Sequence, residues 1–107
     1  LPNFLEHMDR LKAAGFDAIA CLSINDAHVM KAWSDMNDAA GRIDMLADVR
    51  AEFSRALGIT ADFGDVLAER TQRSAFVVED GTITHVFIEE PGIFEVSSAE
   101  HVLAAIA

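Results

Sequence analysis

Two short apolar runs, each set between stretches of helical periodicity, constrain this fold more than anything else in the chain. The first, Ala18 to Ile24, reads Ala-Ile-Ala-Cys-Leu-Ser-Ile. Its length and setting predict a strand buried on both faces, as in a parallel sheet. Ahead of it, Phe4, Leu5, Met8 and Leu11 recur at spacings of three and four, which predicts one amphipathic helix over 2–14. Pro2 suits its first turn and Gly15 its end. After the run, Asn25-Asp26 offers an N-cap. Val29, Met30, Trp33 and Met36 then form one apolar face of a helix ending near Gly41. Ile43 to Ala47 is the second short strand. Asp48 caps a third helix that turns Val49, Phe53, Ala56 and Leu57 inward before Gly58 stops it.

The remaining chain changes character. Ile59 to Gln72, with Gly64 inside it, reads as irregular. Ser74 to Glu79 and Thr82 to Ile88 flank Asp80-Gly81, a strong hairpin signal because Asp-Gly tolerates the positive φ that a tight hairpin turn requires. Pro91-Gly92 predicts another turn. Ser97 with Glu100 has capping-box spacing for a last helix burying Val102, Leu103 and Ile106. The order α-β-α-β-α-β-β-α predicts an α/β fold: a mixed sheet with helices on both faces. Its 107 residues suffice for one domain. Such domains usually open on a strand, whereas this one opens inside a helix, so a missing N-terminal portion is expected.

Charge narrows the partners. With 18 acidic and 8 basic residues the net charge is −10, which repels phosphate backbones and anionic lipid heads, so neither nucleic acid nor membrane is an expected partner. The apolar runs fall short of a membrane span, and no secretory signal opens the chain. The single cysteine, Cys21, permits no intrachain disulfide and no zinc site of paired cysteines. A reducing cytoplasm is the simplest setting for it. The four histidines are scattered without ligand spacing, so no metal is expected. Asp62-Phe63-Gly64 spells a kinase motif, but no glycine-rich or catalytic loop accompanies it.

Four collinear segments resemble the type-5-like peroxiredoxins: Leu1-Pro2-Asn3-Phe4; Ile19 through Asn25-Asp26 to Trp33; Met45-Leu46-Ala47-Asp48 with the helix to Leu57-Gly58; and Thr71-Gln72-Arg73-Ser74 through Asp80-Gly81 to Glu89-Glu90-Pro91-Gly92 and Phe94 to Ser98. The resemblance covers essentially the whole chain. It implies a thioredoxin-like (redoxin) domain over 1–107, incomplete on its N-terminal side, and a thiol-dependent peroxidase acting on hydrogen peroxide and alkyl hydroperoxides in the intact protein. The family's nucleophile is a cysteine in a Pro-x-x-x-Thr/Ser-x-x-Cys motif a few residues before the position of Leu1. This chain holds no such motif, so by itself it is expected to be inactive.

Peroxide reduction needs a thiolate, and a free thiol ionises only near pH ~8.5, so nearby positive charge must favour the anion. Charge also builds on the departing oxygen, which a fixed donor stabilises. Arginine suits both tasks, being permanently charged and forked. On its residues alone Arg73 reads as a surface arginine paired with a carboxylate; the resemblance makes it the active-site arginine. Arg70 stays with the surface reading. Phe63, Val66 and Leu67 are candidates for an apolar wall around the peroxide, with ordinary loop packing an equal alternative. Cys21, mid-strand and without a cation beside it in sequence, reads as a core residue rather than a substitute nucleophile. The resemblance further implies a 1-Cys-like mechanism without a cofactor. The reductant would be an external thiol such as glutathione, glutaredoxin or thioredoxin, and a homodimer contact would lie near Asn25-Asp26. The alternative is a non-catalytic thioredoxin-like module for dimerisation or partner binding.

Overall fold

The computed structural model describes residues 1–90 and 92–106, without the side chains of Val66 and Leu67. The expected turn at Pro91-Gly92 therefore lies partly outside the described residues. The elements run α1 (Pro2–Glu6), α2 (Met8–Ala13), β1 (Ala20–Ser23), α3 (Ala27–Asn37), β2 (Asp44–Ala47) and α4 (Glu52–Ala56). They continue with β3 (Thr60–Asp62), α5 (Gly64–Leu67), β4 (Glu69–Thr71), β5 (Ser74–Glu79), β6 (Thr82–Ile88) and α6 (Ala99–Ile106). No helix among the described residues is long and apolar enough to cross a membrane.

The helix expected over 2–14 is two helices broken at His7. Asn3 offers the carbonyl that the His7 amide would take in a continuous helix, but the imidazole Nδ1 of His7 lies 2.8 Å from it instead. The His7 N–H turns to Phe4, three residues back, at 3.2 Å. The buried part of the expected stripe lies on α2, where Met8 packs with Ala39 and Ile43 and Leu11 with Ala99 and Leu103, while Phe4 and Leu5 of α1 are half-buried against these clusters.

β1 and β2 pair in parallel, Cys21 opposite Met45, with α3 as the crossover between them. Asp26 caps α3 by accepting the Val29 N–H at 2.9 Å. The helix ends at Asn37, earlier than expected, because Asp38 turns left-handed at φ 54°. Its expected face is also split. Met30 and Ser34 point inward, while Val29 and Met36 stand out at 47% and 84% exposure. Nor is β1 buried on both faces, since Ala20 is exposed and Cys21 to Ser23 are half-buried. The described strands form three two-stranded sheets rather than one mixed sheet. A strand with one neighbour has no second partner to carry the covering layers across it.

The third helix starts later than the sequence predicts. Asp48 does accept helix-terminal N–H groups, from Phe53 at 3.1 Å and Ser54 at 2.8 Å, but it does so from below. The N-cap is Ala51, held at φ 59°. That later start rotates the buried face onto Ser54, which meets the Thr71 hydroxyl at 2.7 Å. Val49 and Phe53 are left 60% and 55% exposed. The segment read as irregular is an antiparallel ribbon, with Thr60 opposite Thr71 and α5 across its turn.

β5 and β6 form the expected hairpin, with a register shift at Val77 and Val78. Asp80 and Gly81 sit at φ 51° and 78°, the paired left-handed conformations of a tight hairpin turn. The last cap falls one residue beyond the expected one. His101 donates to the Ser98 hydroxyl at 3.2 Å, because the Ser97 hydroxyl is committed to Glu89. Asn3 joins the two ends of the chain, accepting the Ala99 N–H at 2.7 Å while its own amide donates to Glu100.

Candidate active site

Arg73 stands in the connection between β4 and β5, where an extended chain must leave the ribbon and enter the hairpin. Its side chain is exposed, and its guanidinium lies over the Phe94 ring, 5.0 Å from the centroid. That arrangement restricts a flexible cation through attraction to the ring face. The guanidinium borders a cavity of about 350 Å³ whose walls include Phe63, Arg70, Glu89, Ile93 and Phe94. Arg73 and Phe63 thus border the same cavity. Val66 and Leu67 lie on α5, but their side chains are outside the described residues.

Arg70 departs from the surface reading. It is half-buried and donates to the Ile24 carbonyl at 3.0 Å and the Asn25 side chain at 3.3 Å, tying β4 to the turn after β1. A larger concavity, about 540 Å³, is lined by Asp62, Asp65 and Glu69. Its acidic wall disfavours a thiolate or a developing oxyanion.

Two residues of the site were not found by sequence reasoning. Glu89 is only 6% exposed. Its carboxylate accepts the N–H groups of Glu95, Val96 at 3.2 Å and Ser97 at 2.9 Å, and the Ser97 hydroxyl at 2.7 Å. Burial would raise its pKa, but these donors outweigh it and hold the group at about 2, below the usual 4.5. Phe94, on the loop thus gathered, is the ring beneath Arg73. A buried glutamate leaves no periodic mark in a sequence, and nothing in the spacing couples Phe94 to Arg73. The family resemblance includes both, in Glu89-Glu90-Pro91-Gly92 and in the stretch from Phe94 to Ser98, but assigned neither a role.

Cys21 is half-buried, and burial pushes its thiol up, with the Leu1 amino group partly opposing. A raised thiol is a poor nucleophile near neutral pH. Burial holds the Leu1 amino group below its ordinary value; Cys21 opposes this and Arg73 adds to it.

Paired parallel strands with a helical crossover, an antiparallel hairpin and a closing helix define a thioredoxin-like α/β protein. The chain belongs to the Redoxin family, whose profile matches residues 1–103. It is 42% identical over 112 residues to Peroxiredoxin-2E-2, chloroplastic, of Oryza sativa subsp. japonica, covering 99% of this chain and 49% of that protein. To Peroxiredoxin-2F, mitochondrial, of Arabidopsis thaliana it is 33% identical over 108 residues, covering 99% and 54%. Among solved structures it superposes on reduced Prx3 in complex with H2O2 from Vibrio vulnificus with a TM-score of 0.94 and 44% identity, covering 99% of this chain and 66% of that one. The chain thus spans about half the length of these curated relatives.

The cytoplasmic setting expected from the lone cysteine is corrected by these relatives, whose names place them in the chloroplast and the mitochondrion. One half-buried thiol needs only a compartment where thiols stay reduced, and it does not discriminate among such compartments.

Proposed function

We propose that the intact protein is a thiol-dependent peroxidase, one thioredoxin-like domain acting on hydrogen peroxide and alkyl hydroperoxides, with Arg73 as its catalytic arginine. The observation that carries this is the guanidinium held over Phe94 at the mouth of the cavity. The nucleophile in this reading is not Cys21 but a cysteine ahead of Leu1. The thiolate sulfur attacks one peroxide oxygen, forming an S–O bond as the O–O bond breaks. The leaving alkoxide or hydroxide takes a proton, giving alcohol or water and a cysteine sulfenic acid. One external thiol condenses with that acid, releasing water and forming a mixed disulfide. A second thiol then displaces the cysteine as thiolate. Glutathione, glutaredoxin or thioredoxin would fill that role, and no cofactor enters the cycle.

Arg73 favours the thiolate before attack and meets the charge on the departing oxygen during it. Phe63, Ile93 and Phe94 give the cavity an apolar wall suited to an alkyl group. A homodimer through α3 completes the reading, supported by the exposed Val29 and Met36 that follow Asn25-Asp26.

In the intact protein, Arg73→Ala should slow peroxide reduction by about 10²-fold or more, the scale of losing one preorganised donor. A variant within twofold of wild type sinks the assignment. Residues 1–107 alone should consume hydrogen peroxide no faster than a free-thiol control. Turnover abolished by Cys21→Ser would instead make that cysteine the nucleophile.

A further inference from the structure

Glu89 holds Arg73 from two directions. Its own N–H donates to the Arg73 carbonyl at 2.9 Å, fixing where the arginine leaves the backbone. Its buried carboxylate gathers three consecutive amides, Glu95 to Ser97, together with the Ser97 hydroxyl. These bonds draw the loop after Gly92 against the end of β6, and Phe94 is carried on that loop beneath the guanidinium.

A carboxylate is rarely buried, because removing it from water costs far more than one hydrogen bond returns. This one is tolerated because all four of these donors converge on its two oxygens. No neutral side chain reproduces the arrangement, since an amide would turn an NH2 group toward some of those donors. An apolar residue packed at the same place would leave all four donors, buried or part-buried, unpaired. The loop is shaped around a charge, and what the loop presents is a ring aimed at the site's cation.

We propose that Glu89 is the positioning residue of this site, acting through the loop it gathers and through Phe94 to set the direction of the Arg73 guanidinium. Its activity readout rests on the peroxidase reading; its structural readout does not.

The test uses the intact protein with Glu89→Gln, Phe94→Leu and the double variant. Two quantities are measured on folded protein: the Nε–H resonance of Arg73, which a ring beneath the guanidinium displaces, and the rate constant with hydrogen peroxide. Each single variant should move the resonance toward its free-arginine position and slow the reaction by about 10-fold or more, the scale of a misplaced catalytic group. The double variant should be no slower than Glu89→Gln alone, because both changes act through one contact. A Glu89→Gln protein that melts earlier but keeps the Arg73 resonance and the wild-type rate overturns the proposal, as do strictly additive losses. Should Glu89→Gln not fold, Ser97→Ala removes a single donor. It should shift the resonance in the same direction by less, and an unmoved resonance is equally fatal. If wild type reduces no peroxide, the peroxidase reading falls, and the resonance alone decides the role of Glu89.

Discussion

Burial pushes the ionisable groups of Cys21 and Glu89 in the same direction, and only Glu89 has the hydrogen bonds to resist it. The Cys21 thiol therefore stays above its ordinary value. Its alkylation rate in residues 1–107 should keep climbing with pH beyond the range where a free thiol levels off. A plateau below pH ~8 would mean an activated cysteine and would reopen its role. For Glu89 the sign is opposite. Its folded-state pKa of about 2 lies below the usual 4.5, so the unfolded chain binds more protons between those values. Its contribution is complete above pH 4.5 and disappears as the pH falls toward 2. Asp48, Glu69 and Glu100 are lowered too, so the informative quantity is a difference. Denaturant midpoints of wild type and Glu89→Gln should be farthest apart near neutrality and converge in acid. A gap constant from pH 6 to pH 3 would show that the charge is immaterial.

At the scale of elements, what could be read from the sequence was what local chemistry decides. Asp80-Gly81 announces its hairpin because few residue pairs accept two consecutive left-handed conformations. Asp26 announces α3, and two short apolar runs around a helix announce a parallel pair. Which face each helix buries was less legible. The start of α4 depends on Ala51 entering a left-handed conformation that alanine normally avoids, and that shift moved burial from Phe53 to Ser54. The β3–β4 ribbon was missed because three-residue strands carry too little alternation to register. For the site, Arg73 gained meaning only through family resemblance. Phe94 and Glu89 reach it through a loop whose shape follows from buried hydrogen bonds. The hairpin gives the cleanest test at this scale. Gly81→Ala places a Cβ at φ 78° in otherwise open space, so its cost is backbone strain of roughly 1–2 kcal/mol. The melting midpoint of the intact protein should drop by several degrees while peroxide reduction in the folded state is unchanged. An unshifted midpoint would mean that the turn is not held in this conformation.

For the whole molecule, the question is what the outward stripe of α3 meets. Val29 and Met36 are 47% and 84% exposed, with the half-buried Trp33 between them at helical spacing, beside the inward pair Met30 and Ser34. An exposed Met and Val cost little singly, but a stripe of them along one helix suits contact with another copy. Two copies of this chain must also overcome their own charge, since each carries −10. Two consequences follow if α3 is the dimer contact of the proposed peroxidase. Met36→Lys should weaken self-association at least about tenfold in sedimentation, because it buries an unpaired cation among apolar side chains. It should leave the melting midpoint of α3 almost untouched, since Met36 packs against little within its own chain. Added salt should tighten the wild-type dimer, because screening removes a repulsion between like-charged copies while leaving the apolar contact in place. A dimer that loosens with salt would be held by ion pairs elsewhere, and one indifferent to Met36→Lys would bury a different face.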